Sequence, residues 1–262
     1  MPPEIDAALV NRLRTAGCVF AEDEAELLVK EAQSQADLDR LVALRASGLP
    51  LEHVLGWVEF AGRRFAISPG VFVPRRRTEL LARSAVALLP QRIDPVVVDL
   101  CCGCAAIGAT IASEVAGVDL YATDIDPVAI SCARTNLAPV GGTALQGDLY
   151  DPLPDTLRGR VDQIVANAPY VPTDDIALMP PEARDHEPHG ALDGGPDGLG
   201  ILRRLVFEAS PWLSPDGTLL VEVSAQQAPH LVAFAKSTGS TGEIVTDDDI
   251  GGTVLVIRQM QQ

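Results

Sequence analysis

From Pro95 onward the chain alternates apolar runs with glycine-containing turns and helical stretches, and candidate strands lie at 96 to 100, 118 to 123, 143 to 146, 161 to 166, 217 to 223, 242 to 247 and 252 to 257. Few folds accept that order, because strands joined through helices run parallel and the crossovers cover both faces of one sheet. The expected class is α/β, with a seven-stranded, mostly parallel sheet. Only Asp247-Asp248-Asp249 and a Gly251-Gly252 turn separate the last two strands, too little for a parallel crossover, so they are predicted to pair as an antiparallel hairpin.

Residues 4 to 48 differ: they hold good helix formers and no internal proline, with apolar positions at Leu9, Leu13, Leu27, Leu28, Leu38, Leu41, Val42 and Leu44. Two or three short amphipathic helices fit this pattern. Gly17 and the acidic Glu22-Asp23-Glu24 mark a helix end and a new start, and Ser47-Gly48-Leu49-Pro50 closes the helical part. Trp57 to Phe60 and Arg63 to Ile67 flank Ala61-Gly62 and read as two strands of a hairpin. The expected organisation is a small helical domain over 1–56, a hairpin and linker over 57–92, and the α/β domain over 93–262.

The formal charge of -16 opposes tight binding to a phosphate backbone, so nucleic acid is disfavoured as a partner. Its spread is uneven: residues 51 to 92 are net basic through Arg63-Arg64 and Arg75-Arg76-Arg77, and the rest is acidic. Five cysteines, three of them at 101, 102 and 104, read as reduced thiols. No apolar run suits a membrane span, and Met1 to Asp6 lack the basic, apolar start of a secretory signal, so the expected address is cytoplasmic.

Val96 to Leu100 reads as a buried first strand, and Cys101-Cys102-Gly103-Cys104-Ala105 is a small-residue turn before a helix, a place where a ligand can approach backbone and helix N-terminus. Asp124 closes the second strand, where an acid can accept from both hydroxyls of a ribose. Asp148 follows the third and can accept from an adenine amino group while Leu149 packs on the ring. Each position has a plainer reading: the turn as packing, and Asp124 as a cap for the helix at Asp126-Pro127. Zinc needs about four ligands in a tetrahedron, and the other two cysteines, Cys18 and Cys132, offer no second pair beside the Cys101 to Cys104 turn, so no metal is expected.

Asn167-Ala168-Pro169-Tyr170 follows the apolar strand 161 to 166 and offers an amide, a directed carbonyl and an aromatic face in one turn. These parts suit a planar nitrogen group held while it is alkylated. Glu222, at the end of its strand, reads as a structural partner.

Taken together, Asp99 to Ala105, Asp124, Asp148 and Asn167 to Tyr170 resemble class I S-adenosylmethionine-dependent methyltransferases, and more narrowly the protein-(glutamine-N5) methyltransferase family, whose best-known members modify peptide-chain release factors. Leu51 to Gly56, Glu59 to Gly62 and Phe65 are similar to that family's linker and hairpin, Val73 to Leu81 to its Pro-Arg-x-x-Thr-Glu segment, and Glu187-Pro188, Ala191-Leu192 and Gly195 to Leu199 to its later pattern. The family's Gly-x-Gly-x-Gly turn keeps only Gly103 here, its Asn-Pro-Pro-Tyr carries Ala168, and an acidic position is Arg77.

The resemblance implies a Rossmann-like sheet, substrate recognition by the helical domain over 1–56, S-adenosyl-L-methionine as cofactor with S-adenosyl-L-homocysteine as product, and a protein substrate with an exposed glutamine, such as a release factor. It implies cofactor contacts from Asp99, Cys101, Cys102, Gly103, Cys104, Asp124, Ile125, Asp148, Leu149 and Asn167, catalysis by Asn167, Ala168, Pro169 and Tyr170, and a substrate mouth at Pro74, Arg75, Thr78 and Glu79. Two other functions compete: an adenine-N6-type amino methyltransferase, which flips its base into such a pocket, and a non-catalytic S-adenosylmethionine-binding module.

Overall fold

A computed structural model describes residues 6–260, so Met1 to Ile5 and their reading as a non-secretory start lie outside the described residues. Four helices come first: α1 (Ala7–Thr15), α2 (Ala21–Glu31), α3 (Gln35–Ala46) and α4 (Leu51–Leu55). Asp6 caps α1 by accepting from the Leu9 N–H at 2.7 Å, and Ser34 caps α3 by accepting from Asp37 at 3.2 Å. Their apolar stripes, including Leu13, Leu28, Leu38 and Leu41, close a small core of their own.

Strands β1 (Trp57–Phe60) and β2 (Arg63–Ala66) form the antiparallel hairpin. Its two turn residues, Ala61 and Gly62, have φ of +50° and +70°, which matches the twist of a two-residue loop. The hairpin is no free linker: Val58, Phe60, Phe65 and Ile67 are buried in the same cluster as the α/β core.

The remainder runs α5 (Glu79–Leu88), β3 (Val96–Leu100), α6 (Ala106–Glu114), β4 (Asp119–Asp124), α7 (Pro127–Leu137), β5 (Thr143–Gln146), β6 (Val161–Ala166), α8 (Pro181–His186), α9 (Gly200–Glu208), β7 (Leu213–Glu222), α10 (Ala228–Ser237), β8 (Ser240–Asp247) and β9 (Gly252–Gln259). The sheet order is β5-β4-β3-β6-β7-β9-β8. The first five strands are parallel, while β9 runs antiparallel to both β7 and β8. β3 and β6 are buried along their whole length, as strands covered on both faces must be. One apolar cluster includes Leu81, Ile111 and Ile130 from α5, α6 and α7; the other includes Leu202, Leu205 and Leu231 from α9 and α10.

β7 begins at Leu213, ahead of the expected 217. The added residues reach back to pair Leu213 with Val161, the register against β6 shifts between Val161 and Gln163, and a Cβ on Gly217 would lie 2.7 Å from the Val161 carbonyl oxygen. Chain order reverses at β3, whose neighbours are β4 and β6, so a crevice opens beyond their carboxyl ends. Among the described residues, no helix is long and apolar enough to cross a membrane.

Candidate active site

A cavity of about 480 Å³ occupies that crevice, walled by the Cys101 to Cys104 turn, Asp124 to Asp126, Gly147 to Leu149 and Asn167. Cys101, Gly103 and Ala105 have φ of +54°, +55° and +60°, all in the left-handed region. That conformation explains why glycine suits all three places; a Cβ there costs about 1–2 kcal/mol. A Cβ added to Gly103 would meet nothing within 4 Å, so the turn leaves open space above its centre.

Asp124 is held at both oxygens, accepting from the Gly103 N–H through Oδ2 and the Asp126 N–H through Oδ1, each at 2.9 Å. Burial pushes its pKa up, against the pull of these bonds. Each oxygen keeps a further lone pair for a hydroxyl donor. Ile125, although apolar, is 70 % exposed and faces the same cavity as Leu149. Fixed hydroxyl acceptors beside apolar walls and an open glycine fit an adenosyl ligand. Asp148 also lines the cavity, where it pairs with Arg204 at 3.0 Å.

Asp99 departs from expectation. It is fully buried and does not line the cavity; Oδ2 accepts from the Gly108 N–H at 2.9 Å, and Oδ1 has no partner. Burial raises its pKa to about 8. It anchors the start of α6 beneath the turn, at a close approach that Gly108 permits by lacking a Cβ.

Asn167 stands just past β6 and lines both the large cavity and a neighbouring one of about 250 Å³ walled by Phe72, Arg75, Arg77, Ala168, Tyr170 and Met179. Its Nδ2 donates one N–H to Thr78 Oγ1 at 3.3 Å, which orients the amide and leaves its oxygen to accept from a ligand. Pro169 lines the large cavity. The Tyr170 hydroxyl donates to Glu222 Oε1 at 3.0 Å and accepts from Arg77 Nη2 at 2.8 Å, while Gln227 Nε2 donates to the Tyr170 carbonyl at 2.9 Å. Burial, then the Glu222 charge, push the phenol pKa up, so it stays neutral.

The structure brings Pro74 and Thr78 to the large cavity and Arg75 to the smaller one. Arg75 is paired with the buried Glu187 at 2.5 Å. Glu79, expected at the mouth, lines neither cavity: its Oε1 accepts from the Ala61 N–H at 3.2 Å and ties the hairpin turn to α5. Reading the sequence missed Arg77 and Gln227, and it assigned no role in the site to Glu222. Arg77 stood out as a departure from the acidic pattern, but its partner lies 145 positions away.

A methyltransferase small domain model matches residues 63–179. A release factor glutamine methyltransferase of Mycolicibacterium smegmatis is 34% identical over 255 residues, which cover 95% of this chain and 88% of that protein. The 4-amino-L-phenylalanine/4-methylamino-L-phenylalanine methyltransferase of Streptomyces pristinaespiralis is 36% identical over 203 residues, 76% of this chain and 69% of that protein. Among solved structures, ribosomal protein L11 methylase from Lactobacillus delbrueckii subsp. bulgaricus shares the fold with a TM-score of 0.53 at 17% identity, covering 74% of this chain and 84% of that one.

Proposed function

The chain belongs to the release factor glutamine methyltransferase family, and on that premise we propose that it methylates the side-chain amide nitrogen of a glutamine in a protein, a peptide-chain release factor being the first acceptor to test. S-adenosylmethionine supplies an electrophilic methyl group and leaves as S-adenosylhomocysteine. The observation that carries this reading is the place of Asn167, on the wall shared by the two cavities.

An amide nitrogen is a poor nucleophile because its lone pair is delocalised into the carbonyl, so the chain must act by positioning. The Asn167 amide oxygen and the Ala168 carbonyl accept the two N–H protons, which aims the nitrogen at the larger cavity and favours the charge that develops on it. Alignment of this kind is worth on the order of 7 kcal/mol of barrier, and acceptors fixed in advance add to it. Tyr170 supplies a flat wall for the planar group. No strong base is needed, since the alkylated nitrogen gives up its proton to water. Ala168 keeps the carbonyl and removes only the constraint of a proline ring. Cytoplasm is the proposed compartment.

A second reading follows from the size of the smaller cavity, about 250 Å³, which also accommodates an aromatic amine such as the one named for the Streptomyces relative. Labelled S-adenosylmethionine incubated with purified release factor, with cell lysate and with 4-amino-L-phenylalanine separates the two, using Asn167→Ala as control. Label in one protein band, released as methylated glutamine and lost in the variant, supports the proposal. Label confined to the small molecule or to nuclease-sensitive material overturns it.

A further inference from the structure

Two consecutive residues of one short turn grip both arms of the acceptor clamp. The single turn Arg76–Thr78 precedes α5; Thr78 meets the Asn167 amide and Arg77 meets the Tyr170 hydroxyl. We propose that Arg77 and Thr78 are positioning residues that preset the clamp, Thr78 through Asn167 and Arg77, with Glu222, through Tyr170. The proposal rests on reading Asn167 to Tyr170 as the acceptor clamp.

Thr78 is 1 % exposed, and its N–H donates to the Arg75 carbonyl at 2.9 Å, so its hydroxyl is a fixed point. It anchors one edge of the Asn167 amide while the other edge faces the cavities. Tyr170 is held at both ends: Gln227 takes its carbonyl, and the hydroxyl sits between Arg77 and Glu222. Glu222 is 2 % exposed, its Oε2 has no partner, and Arg77 Nε approaches Oε1 at 3.1 Å. Removing the guanidinium leaves a buried carboxylate with the phenol and no cation, which favours a swing of the ring or protonation of the acid. Burial opposes the charge on Arg77, but the Glu222 carboxylate beside it and the bonds it donates to Glu222 and to the neutral Tyr170 hydroxyl keep it protonated.

The turn itself is seated by the sheet. A Cβ on Gly252, the first residue of β9, would lie 2.8 Å from the Arg77 carbonyl oxygen, so glycine there allows the turn to pack against the strand. Residues from β9, β7 and the turn thereby set the width of a planar slot before any acceptor arrives.

Steady-state kinetics of Thr78→Val, Thr78→Ser and Arg77→Met test the proposal, alone and combined with Asn167→Ala or Tyr170→Phe. Misplacement of a reacting group by a fraction of an ångström predicts a kcat loss of about tenfold for Thr78→Val and for Arg77→Met. The affinity for S-adenosylhomocysteine by calorimetry should stay within about twofold in Arg77→Met, since Arg77 lines only the smaller cavity, and Thr78→Ser should recover the rate lost in Thr78→Val. Arg77→Met should add nothing to Tyr170→Phe, nor Thr78→Val to Asn167→Ala. Additive losses, an unchanged kcat or no recovery by serine would overturn the roles. If Arg77→Met unfolds, the pair Arg77→Met with Glu222→Gln removes both charges at once.

A readout that needs no acceptor is 19F NMR of protein carrying 3-fluorotyrosine, with the Tyr170 resonance assigned by Tyr170→Phe. It should broaden or shift in Arg77→Met and not in Thr78→Ser. An unmoved resonance sinks the Arg77 role, whereas failure of the wild type to methylate any glutamine sinks only the functional reading beneath it.

Discussion

Asp99 holds a proton at neutral pH that the unfolded chain releases, because burial lifts its pKa from 3.8 to about 8. A raised folded pKa contributes stability that is complete below 3.8 and is lost as pH rises toward 8. Asp99→Asn removes the titration but keeps an oxygen for the Gly108 N–H, so its stability should change less than that of the wild type between about pH 4 and pH 8. Urea unfolding at several pH values checks this, and Asp124, also raised by burial, titrates in both proteins. An identical slope in the variant would place the proton elsewhere. The same residue marks how far single positions were legible. The family resemblance implied a cofactor contact for it, but the structure shows it pointing beneath α6, and Glu79, placed at the substrate mouth by the same resemblance, holds the hairpin turn. The places of Asn167 and Asp124 on the cavity wall were legible because a polar residue at the end of a strand in this sheet has few other places to go.

At the scale of elements, buried parallel strands announce themselves as apolar runs, and β3 and β6 have the limits expected of them. What the runs hide is how elements are joined. Asn136, on α7, accepts from the Ala66 N–H and donates to the Ala66 and Cys104 carbonyls, each at 2.8 Å, so one side chain binds the end of β2 to the Cys101 to Cys104 turn. No spacing in the sequence signals a bond across 70 positions. Losing hydrogen bonds worth about 1 kcal/mol each predicts a cost of about 2–3 kcal/mol for Asn136→Ala. Because the Cys104 carbonyl belongs to the turn, affinity for S-adenosylhomocysteine should fall with stability. Denaturation and calorimetry on the same preparations check both, and a loss of stability at constant affinity would mean that the hairpin and the turn are independent.

Across the whole molecule, the acidic excess says nothing of where charge is matched, and the decisive match joins the helical unit to the wall of the smaller cavity. Arg45, on α3 and 6 % exposed, pairs with Glu24 of α2 and with Glu182 of α8, each at 2.6 Å, and donates to the Leu49 carbonyl. Glu182 and Ala183 line the smaller cavity, so α1 to α4 brace the wall against which an acceptor would lie. Cys18 sits in the field of this cluster, its pKa lifted to about 11 chiefly by burial, and is no ready nucleophile. Arg45→Met strands Glu24 in the interior; removing one partner of a buried pair costs about 3–5 kcal/mol, and the half-exposed Glu182 adds little to that. Hydrogen exchange should then rise in α1 to α4 and α8 while β3, β4 and β6 stay protected, because the helical unit has its own core and depends on the sheet through few contacts. The acceptor KM should rise with the affinity for S-adenosylhomocysteine unchanged. Adding Glu24→Gln removes the stranded charge and should restore part of the stability, whereas exchange that rises evenly through the sheet would show that the brace holds the whole fold and not the acceptor wall.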